Sequence, residues 1–572
     1  MDNNAGRAEG PKDAGRQRKK RDLGRAQWSR QMPDKRDRNE RAEQVKRRKL
    51  DNGEEVVAPV YATEFSQEDI ESEQRRPKKK VAVLIGYSGT GYKGMQLSTT
   101  EKTIEGELFT AFVAAGAISK ANAADPKKSS LVRCARTDKG VHAAGNVVSL
   151  KLIVEDPDIV EKINEKLSSQ IRVWDIILAN KSFSSYQMCD SRIYEYLIPS
   201  HCFLPPHPST YLGVKLVEFA EKAGELDAYK ARQEEVATYW DEVDEQVIRP
   251  LLESFPEEVR KPVEKALHMS DEEDAPEAKP TQAVEETPKT ENAPATDPST
   301  EKPAESLDEE AIAFRRQIYE AVKTVKAAYL KARRSYRIPP ARLAQLQTAL
   351  DKYVGTRNFY NYTIQKTFKD PSAKRHIKSF NLNTKPIIID GTEWLSLKVH
   401  GQSFMMHQIR KMVAMAALIV RCGCDPERIT DSYGPTKLAI PKAPGLGLLL
   451  ERPVFDAYNK RATELGKEPL DFDKYTTVMN EFKQREIYDR IFREEEQSHA
   501  FASFFNHIDH YAQEEFLYVT SGGIAAARPA VEHKAGETSE NKAAGPKRIS
   551  QREALAQVEM ESEDERGAEE EG

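Results

Sequence analysis

The chain has 572 residues, 31% of them charged and 39% hydrophobic, with a formal net charge of −5. Such a length allows roughly two to four domains, while this polarity excludes one continuous globule and predicts sizeable segments with no core of their own. No apolar run approaches the ~20 residues of a membrane helix, the amino terminus lacks a signal-peptide core, and five scattered cysteines, Cys134, Cys189, Cys202, Cys422 and Cys424, point to a reducing compartment.

Residues 1–78 read as a disordered basic arm. Arg18-Lys19-Lys20-Arg21, Lys46-Arg47-Arg48-Lys49 and Lys78-Lys79-Lys80 fit nuclear import signals or a nucleic-acid arm. Order is expected to begin at Val81–Ile85, a buried strand. Gly89-Thr90-Gly91-Tyr92-Lys93-Gly94 matches the dinucleotide fingerprint letter for letter. That fingerprint needs a helix opening at its last glycine, yet Met95 to Thr100 is polar and the helix begins near Thr103. A nucleotide cradle is therefore set aside, and the loop, with Tyr87, Tyr92 and Lys93, suits a nucleic-acid backbone. Next comes Cys134-Ala135-Arg136-Thr137-Asp138-Lys139-Gly140-Val141-His142-Ala143. Alternating residues on both sides read as strands, so Asp138 sits on a turn with a cation on either side. A solvated hairpin tip has the same composition, and the rest of the chain must decide.

A helix near 160–167 and a strand at Val173–Leu178 follow. Arg192–Ile198 reads as a strand with Arg192, Tyr194 and Tyr196 on one face. Between 206 and 340 long charged helices flank a tract, 269–310, with 14 Asp or Glu against 3 Lys and no aromatic residue. That tract is read as a disordered acidic insertion. Pro340 opens a helix that Gly355–Phe359 ends. Strands are expected at Ile377–Leu382 and Trp394–Val399, then a helix over 404–420 with one apolar side. Arg410 and Lys411 lie near its amino-terminal end, where the dipole disfavours cations, so an anionic partner is implied. Ala443–Gly447 is a loop before a strand at 448–451. Helices are expected over 475–510 and an acidic, disordered tail from about 521.

The histidines and cysteines give no converging set at metal spacing, and no acyl-transfer, Walker or kinase motif stands out. Cys422-Gly-Cys424 reads as reduced thiols at a helix end. One conspicuous Asp, strand tyrosines, a helical Arg and dispersed cations fit covalent or acid–base chemistry on a polyanion, without a cofactor or metal.

Several segments resemble the TruA family of pseudouridine synthases. Gly86–Gln96 resembles its opening strand and loop, Thr103–Leu108 its first helix, Arg136–Ala143 its catalytic loop and Arg192–Tyr196 the strand with its active-site tyrosine. Phe404–Val413 resembles its basic motif and Ala443–Leu446 its closing loop. Within the family, Gly355–Tyr362, Met405–Met412 and the long insertion are similar to the eukaryotic nuclear branch that modifies several tRNA positions. The resemblance implies an α/β (α+β) pseudouridine synthase fold: two half-domains with mainly antiparallel sheets flanked by helices around a basic catalytic cleft. The expected organisation is a basic arm (1–78), a first catalytic half (79–205), a helical insertion (206–340), a second half (341–460), a helical extension (461–520) and an acidic tail (521–572). The implied reaction turns uridine into pseudouridine, moving the glycosidic bond from N1 to C5 after the base is flipped into a pocket. Asp138 is then the essential carboxylate, attacking the sugar or removing a sugar proton. Arg410 is its cationic partner, and Tyr194 stacks on the uracil. Arg136, Lys93, Lys139, Arg192 and Lys411 are RNA-binding candidates. Expected partners are tRNA, with messenger and small nuclear RNA as further candidates, and the import machinery in a nuclear location. A non-catalytic RNA-binding protein on the same scaffold is the alternative.

Overall fold

The computed structural model describes residues 59–267, 309–364 and 366–527. The clusters at 18–21 and 46–49, nearly all of the acidic tract and the tail beyond 527 lie outside them. The strands are β1 (Lys79–Tyr87), β2 (Val132–Arg133), β3 (His142–Leu152), β4 (Ile171–Leu178), β5 (Ser191–Pro199), β6 (Gly355–Asn358), β7 (Lys374–Leu382), β8 (Ile387–Ile389), β9 (Thr392–Gly401) and β10 (Leu448–Val454).

The chain forms two compact units. The first runs to Ile193 and resumes over Leu449–Arg493; the second is Tyr194–Leu448 and the chain from Glu494. These limits differ from the expected half-domains. β10 pairs with β3, Leu449 opposite His142 and Leu450 opposite Ala143, which draws the chain after 448 into the first unit. The first boundary falls inside β5.

In the first unit the strand order is β4-β1-β3-β10, with β2 on the flank of β3. β1 is antiparallel to β3 and to β4. Val81 to Ile85 are fully buried, as a continuous apolar run at a sheet centre should be. The helix Ile104–Ala114 starts where expected, capped by the Thr103 side chain on Gly106 N–H.

The disorder expected over 1–78 does not hold for residues 59–78. Residues 59–78 lie along this helix. Val60 N–H donates to the Thr99 carbonyl (3.0 Å), and Tyr61 meets Phe109 edge-on at 6.1 Å. Arg76 donates to the Gly116 carbonyl (3.1 Å), Lys120 pairs with Asp69 (3.1 Å), and the helix Gln67–Ser72 is capped by Ser66. The segment is ordered by contacts with a neighbour, which its own charged sequence does not advertise.

In the second unit the order is β5-β9-β7-β6, with β8 on β9. β6 is a strand the sequence did not reveal, made of Gly355-Thr356-Arg357-Asn358 on the edge. The helix Pro340–Asp351 buries Leu346 and Leu350 and also Arg342, whose guanidinium donates to the carbonyls of Phe203 (2.8 Å) and Val420 (3.1 Å) and to Gln233 (3.1 Å). The helices of the insertion have a core of their own, built on Val243, Ile248, Val259, Val263, Ala321 and Val325. The C-terminal helix Ala500–His510 is tied to the unit by a buried Arg421–Asp509 pair (Nη2 to Oδ2, 2.9 Å). The chain stays ordered beyond 521, through a turn at Gly523–Ala526.

Candidate active site

Asp138 stands on a loop whose backbone is pinned on both sides. β2 ends at Arg133 and β3 starts at His142. Cys134 N–H donates to the Val147 carbonyl (2.8 Å), which keeps the entry on the sheet. Asn146, fully buried in β3, donates through Nδ2 to the Ala135 carbonyl (3.1 Å) and to the Tyr87 hydroxyl (3.2 Å). That hydroxyl lies 2.9 Å from the Thr137 hydroxyl. Met95 N–H donates to the Thr137 carbonyl (3.1 Å), Gly140 N–H to the Tyr92 carbonyl (3.3 Å) and Val141 N–H to the Asp138 carbonyl (3.1 Å). Thr137 is buried and the next side chain, Asp138, is exposed. A carboxylate fixed by its backbone and open to solvent is positioned in advance for a substrate.

The glycine loop makes this possible, and its role differs from the expected one. Gly94 has φ +96°, and a Cβ there would stand 2.9 Å from the Thr137 carbonyl oxygen. A Cβ on Gly89 would stand 2.3 Å from the Val141 carbonyl oxygen. The loop is the bed of the aspartate turn. Tyr87 and Tyr92 are buried, and the Tyr92 hydroxyl donates to Glu107 (2.6 Å), so neither faces an RNA backbone; Lys93 is exposed. Glu105 closes the bed by accepting Leu97 N–H (2.9 Å) and Arg133 Nε (2.6 Å). His142 fastens it from below. Its Nδ1 accepts Gly89 N–H (3.1 Å), so the neutral ring carries its proton on Nε2. Burial and the Arg490 charge hold its pKa down to about 4.

Arg136 and Lys139, on either side of Asp138, are exposed. Arg192 is half-buried and donates to the Cys134 carbonyl (2.9 Å), a brace at the base of the loop. The sequence did not single out Asn146, Thr137 or Tyr87 as the loop's supports. An Asn within the apolar strand His142–Leu152 was the available signal.

Tyr194 and Arg410 belong to the second unit. Tyr194, two residues after Arg192 on β5, is 9% exposed and meets Phe404 edge-on at 5.3 Å. The helix that carries Arg410 is Gln408–Arg421, four residues shorter at its start than expected. His407 adopts φ +58°, and the Gln408 side chain accepts Met405 N–H (2.9 Å), so Phe404–His407 form a tight turn instead. This places Arg410 and Lys411, both half-buried, in a first turn without any acidic residue. Arg410 Nε donates to the Ala443 carbonyl (2.6 Å), and a Cβ on Gly445 would stand 3.4 Å from the guanidinium. The Tyr196 hydroxyl donates to the Pro444 carbonyl (2.6 Å). The 443–445 loop is thus strapped to the two side chains that flank it. Burial and the charges of Lys442, Arg410 and Lys411 push His407 down to about 3, so it adds no charge to this cationic cluster.

Among the described residues no three His, Cys, Asp or Glu side chains group as a metal site. Cys422 and Cys424 are buried thiols, and burial pushes both upward, Cys424 to about 11. No helix of the described residues is long and apolar enough to cross a membrane.

Residues 349–456 match a family described as tRNA pseudouridine synthase. A protein named tRNA pseudouridine synthase 1 from Eremothecium gossypii is 45% identical over 477 residues, 82% of each chain. The Schizosaccharomyces pombe protein of that name is 42% identical over 492 residues, 83% of this chain and 91% of its own. The chain belongs to the TruA family of pseudouridine synthases. A Saccharomyces cerevisiae protein named tRNA pseudouridine(27/28) synthase is 35% identical over 434 residues, 75% of this chain and 99% of its own. The family match at 349–456 takes in Arg410, Lys411 and the 443–445 loop, while Asp138 and Tyr194 lie outside it.

Proposed function

We propose that this chain is an isomerase that converts uridines of tRNA to pseudouridine, with Asp138 as the essential carboxylate. The observation that carries the assignment of the residue is the exposed Asp138 side chain on a backbone pinned at Cys134, Ala135, Thr137, Asp138 and Gly140. The reaction breaks the C1′–N1 bond of the uridine and makes a C1′–C5 bond; C5 loses a proton and N1 takes one up, so the product is an isomer and no redox partner is needed. Asp138 acts on the ribose of a flipped nucleotide. Tyr194 offers a ring for the uracil and a hydroxyl for the C5 proton. Arg410 contributes the cation, and Lys93, Arg136, Lys139 and Lys411 contact phosphates, which dominate affinity and carry little sequence information. Arg192 serves the loop from beneath.

The test is to map pseudouridines in tRNA incubated with the full chain and with Asp138→Asn. The amide keeps the shape and removes the charge. Product formation is expected to vanish while tRNA affinity stays within about threefold, because binding is shared among many phosphates. Turnover of Asp138→Asn near the wild-type rate would remove Asp138 from catalysis. A wild-type chain that binds tRNA and forms no pseudouridine would establish the RNA-binding alternative. We also propose a nuclear location, on the Lys and Arg clusters at 18–21 and 46–49 and their recognition by import factors. Messenger and small nuclear RNA are proposed as further substrates, to be read by the same mapping.

A further inference from the structure

In the second unit one sheet face is exposed across β7 and the end of β9; nearer the start of β9, Trp394 on the same side is buried edge-on against Phe501 of the helix Ala500–His510 at 6.0 Å. On β7 and β9, Phe380 stands opposite Val399 and Leu382 opposite Leu397. Phe380, Val399 and Leu397 are buried, Phe380 lies 6.0 Å from the Tyr353 ring, and Gln347 of the helix Pro340–Asp351 donates to the Phe380 carbonyl (3.0 Å). That side is the core. By the period of two, the opposite side carries Asn381 opposite Lys398 and Ser379 opposite His400. The register shifts between Ile377 and Ser379, and Lys378 is the extra residue. Lys374, His376, Lys378, Asn381 and Lys398 are exposed, and His400 is half-buried. Residues 355–358, 374–382 and 394–401 contain no Asp or Glu.

Lysines often guard the open edge of a sheet against pairing with another chain. That explanation reaches only Lys378, on the part of β7 beyond the β6 pairing; Lys374 is paired with Asn358 of β6, and Lys398 is on β9, which lies between β5 and β7. An exposed sheet face with cations and without acids suits a polyanion that lies across the strands. A second observation adjoins it. Phe368 is 40% exposed, its carbonyl accepts Asn358 Nδ2 of β6 (2.9 Å), and its ring is edge-on to Tyr360 at 5.5 Å. Lys369 beside it is exposed. An aromatic ring held at the margin of a cationic surface is what an unpaired base stacks on.

We propose that the open face of β7 and the end of β9 is a surface for the tRNA phosphate backbone, with Phe368 as the stacking platform for an unpaired base at its margin. The inference rests on the tRNA reading above. It is tested with the full chain by measuring tRNA binding at several salt concentrations and steady-state pseudouridine formation. The variants are Lys374→Glu/Lys378→Glu/Lys398→Glu, the milder Lys374→Gln/Lys378→Gln/Lys398→Gln, and Phe368→Ala. The glutamate variant should bind at least about tenfold more weakly at 0.1 M salt, and the slope of log K against log salt should fall by about two to three, the share of three phosphates. The glutamine variant should show the same loss of slope with a smaller loss of affinity. For both, kcat/KM should fall mainly through KM. Phe368→Ala should bind at least about fivefold more weakly with an unchanged slope, since stacking releases no counterions. Wild-type affinity and slope in the folded glutamine variant, with the parent active on tRNA, would overturn the surface. A parent that leaves tRNA unmodified would instead overturn the functional reading on which the surface depends.

Discussion

At the scale of single residues, the site is defined by side chains that hold and side chains that present. Asn146, Thr137 and Tyr87 are buried and spend their hydrogen bonds on the loop, while the Asp138 side chain is exposed. In the second unit Tyr194 has an edge contact with Phe404, and Arg410 holds the Ala443 carbonyl through Nε. Tyr194→Phe keeps the ring and its contact and removes only the hydroxyl. If that hydroxyl moves the C5 proton, single-turnover product formation should drop by about 10²-fold with tRNA affinity retained. A near-normal rate would leave Tyr194 a stacking role alone. His142 gives a prediction with a definite sign. Its folded pKa of about 4 lies below the ordinary value of 6.5, so between those limits the unfolded chain binds more protons than the folded one. Its contribution to stability is present above pH 6.5 and is lost as the pH falls toward 4. The full effect is on the order of 3 kcal/mol. Urea unfolding of wild type and His142→Gln across that window should show a shallower pH dependence for the variant, and parallel curves would contradict the assignment.

At the scale of elements, the loop that looks nucleotide-binding in sequence turns out to be scaffold. The loop 89–94 carries the aspartate turn on carbon-free positions, Gly89 and Gly94. Gly91 has φ +84° with nothing within 4 Å of its would-be Cβ, whereas Gly94 has φ +96° and a carbonyl oxygen at 2.9 Å. Gly91→Ala should therefore cost only the backbone term, about 1 kcal/mol. Gly94→Ala adds a collision with the Thr137 carbonyl and should cost more and lower kcat, because Asp138 follows Thr137. Thermal unfolding and turnover measured side by side decide the point, and equal effects would show that the loop does not shape the aspartate turn. The helix Gln408–Arg421 illustrates a different limit of periodicity. Its apolar stripe is plain in Ile409, Met412, Val413 and Ala416, all buried. The stripe does not mark its start, which is decided by the left-handed His407 and the Gln408 side chain on Met405 N–H.

At the scale of the whole molecule, residues 59–78, ahead of the first strand, are already packed on the first unit. Removal of residues 1–58 should leave tRNA modification in vitro at the wild-type rate and, on the nuclear proposal, shift the protein toward the cytoplasm. Removal of residues 1–78 should also lower the melting temperature, because it uncovers the Phe109 side of the Ile104–Ala114 helix and removes the Arg76 bond to Gly116. The two truncations, compared by thermal unfolding and by pseudouridine formation on purified tRNA, test this directly. Equal melting temperatures would mean that 59–78 contributes nothing to the fold.

The sequence by itself determined the turn at Asp138, the apolar strands and the helix stripes. These depend on local rules: Asp and Gly in turns, alternation in strands, and the 3.6-residue period in helices. The chain's TruA pattern is also what singles out Asp138, Tyr194 and Arg410 as the proposed site residues. Tertiary structure alone decided which polar groups are spent inside the protein. Arg192 and Tyr92 look in sequence like candidates for a ligand, yet each, like the buried Arg342, has a hydrogen bond to a distant partner, at Cys134, Glu107 and Phe203 respectively. Those pairings span 15 to 139 positions of chain, so no window of neighbouring residues contains them. The same holds for β6, whose four residues have little strand character and become a strand because β7 offers them a ladder.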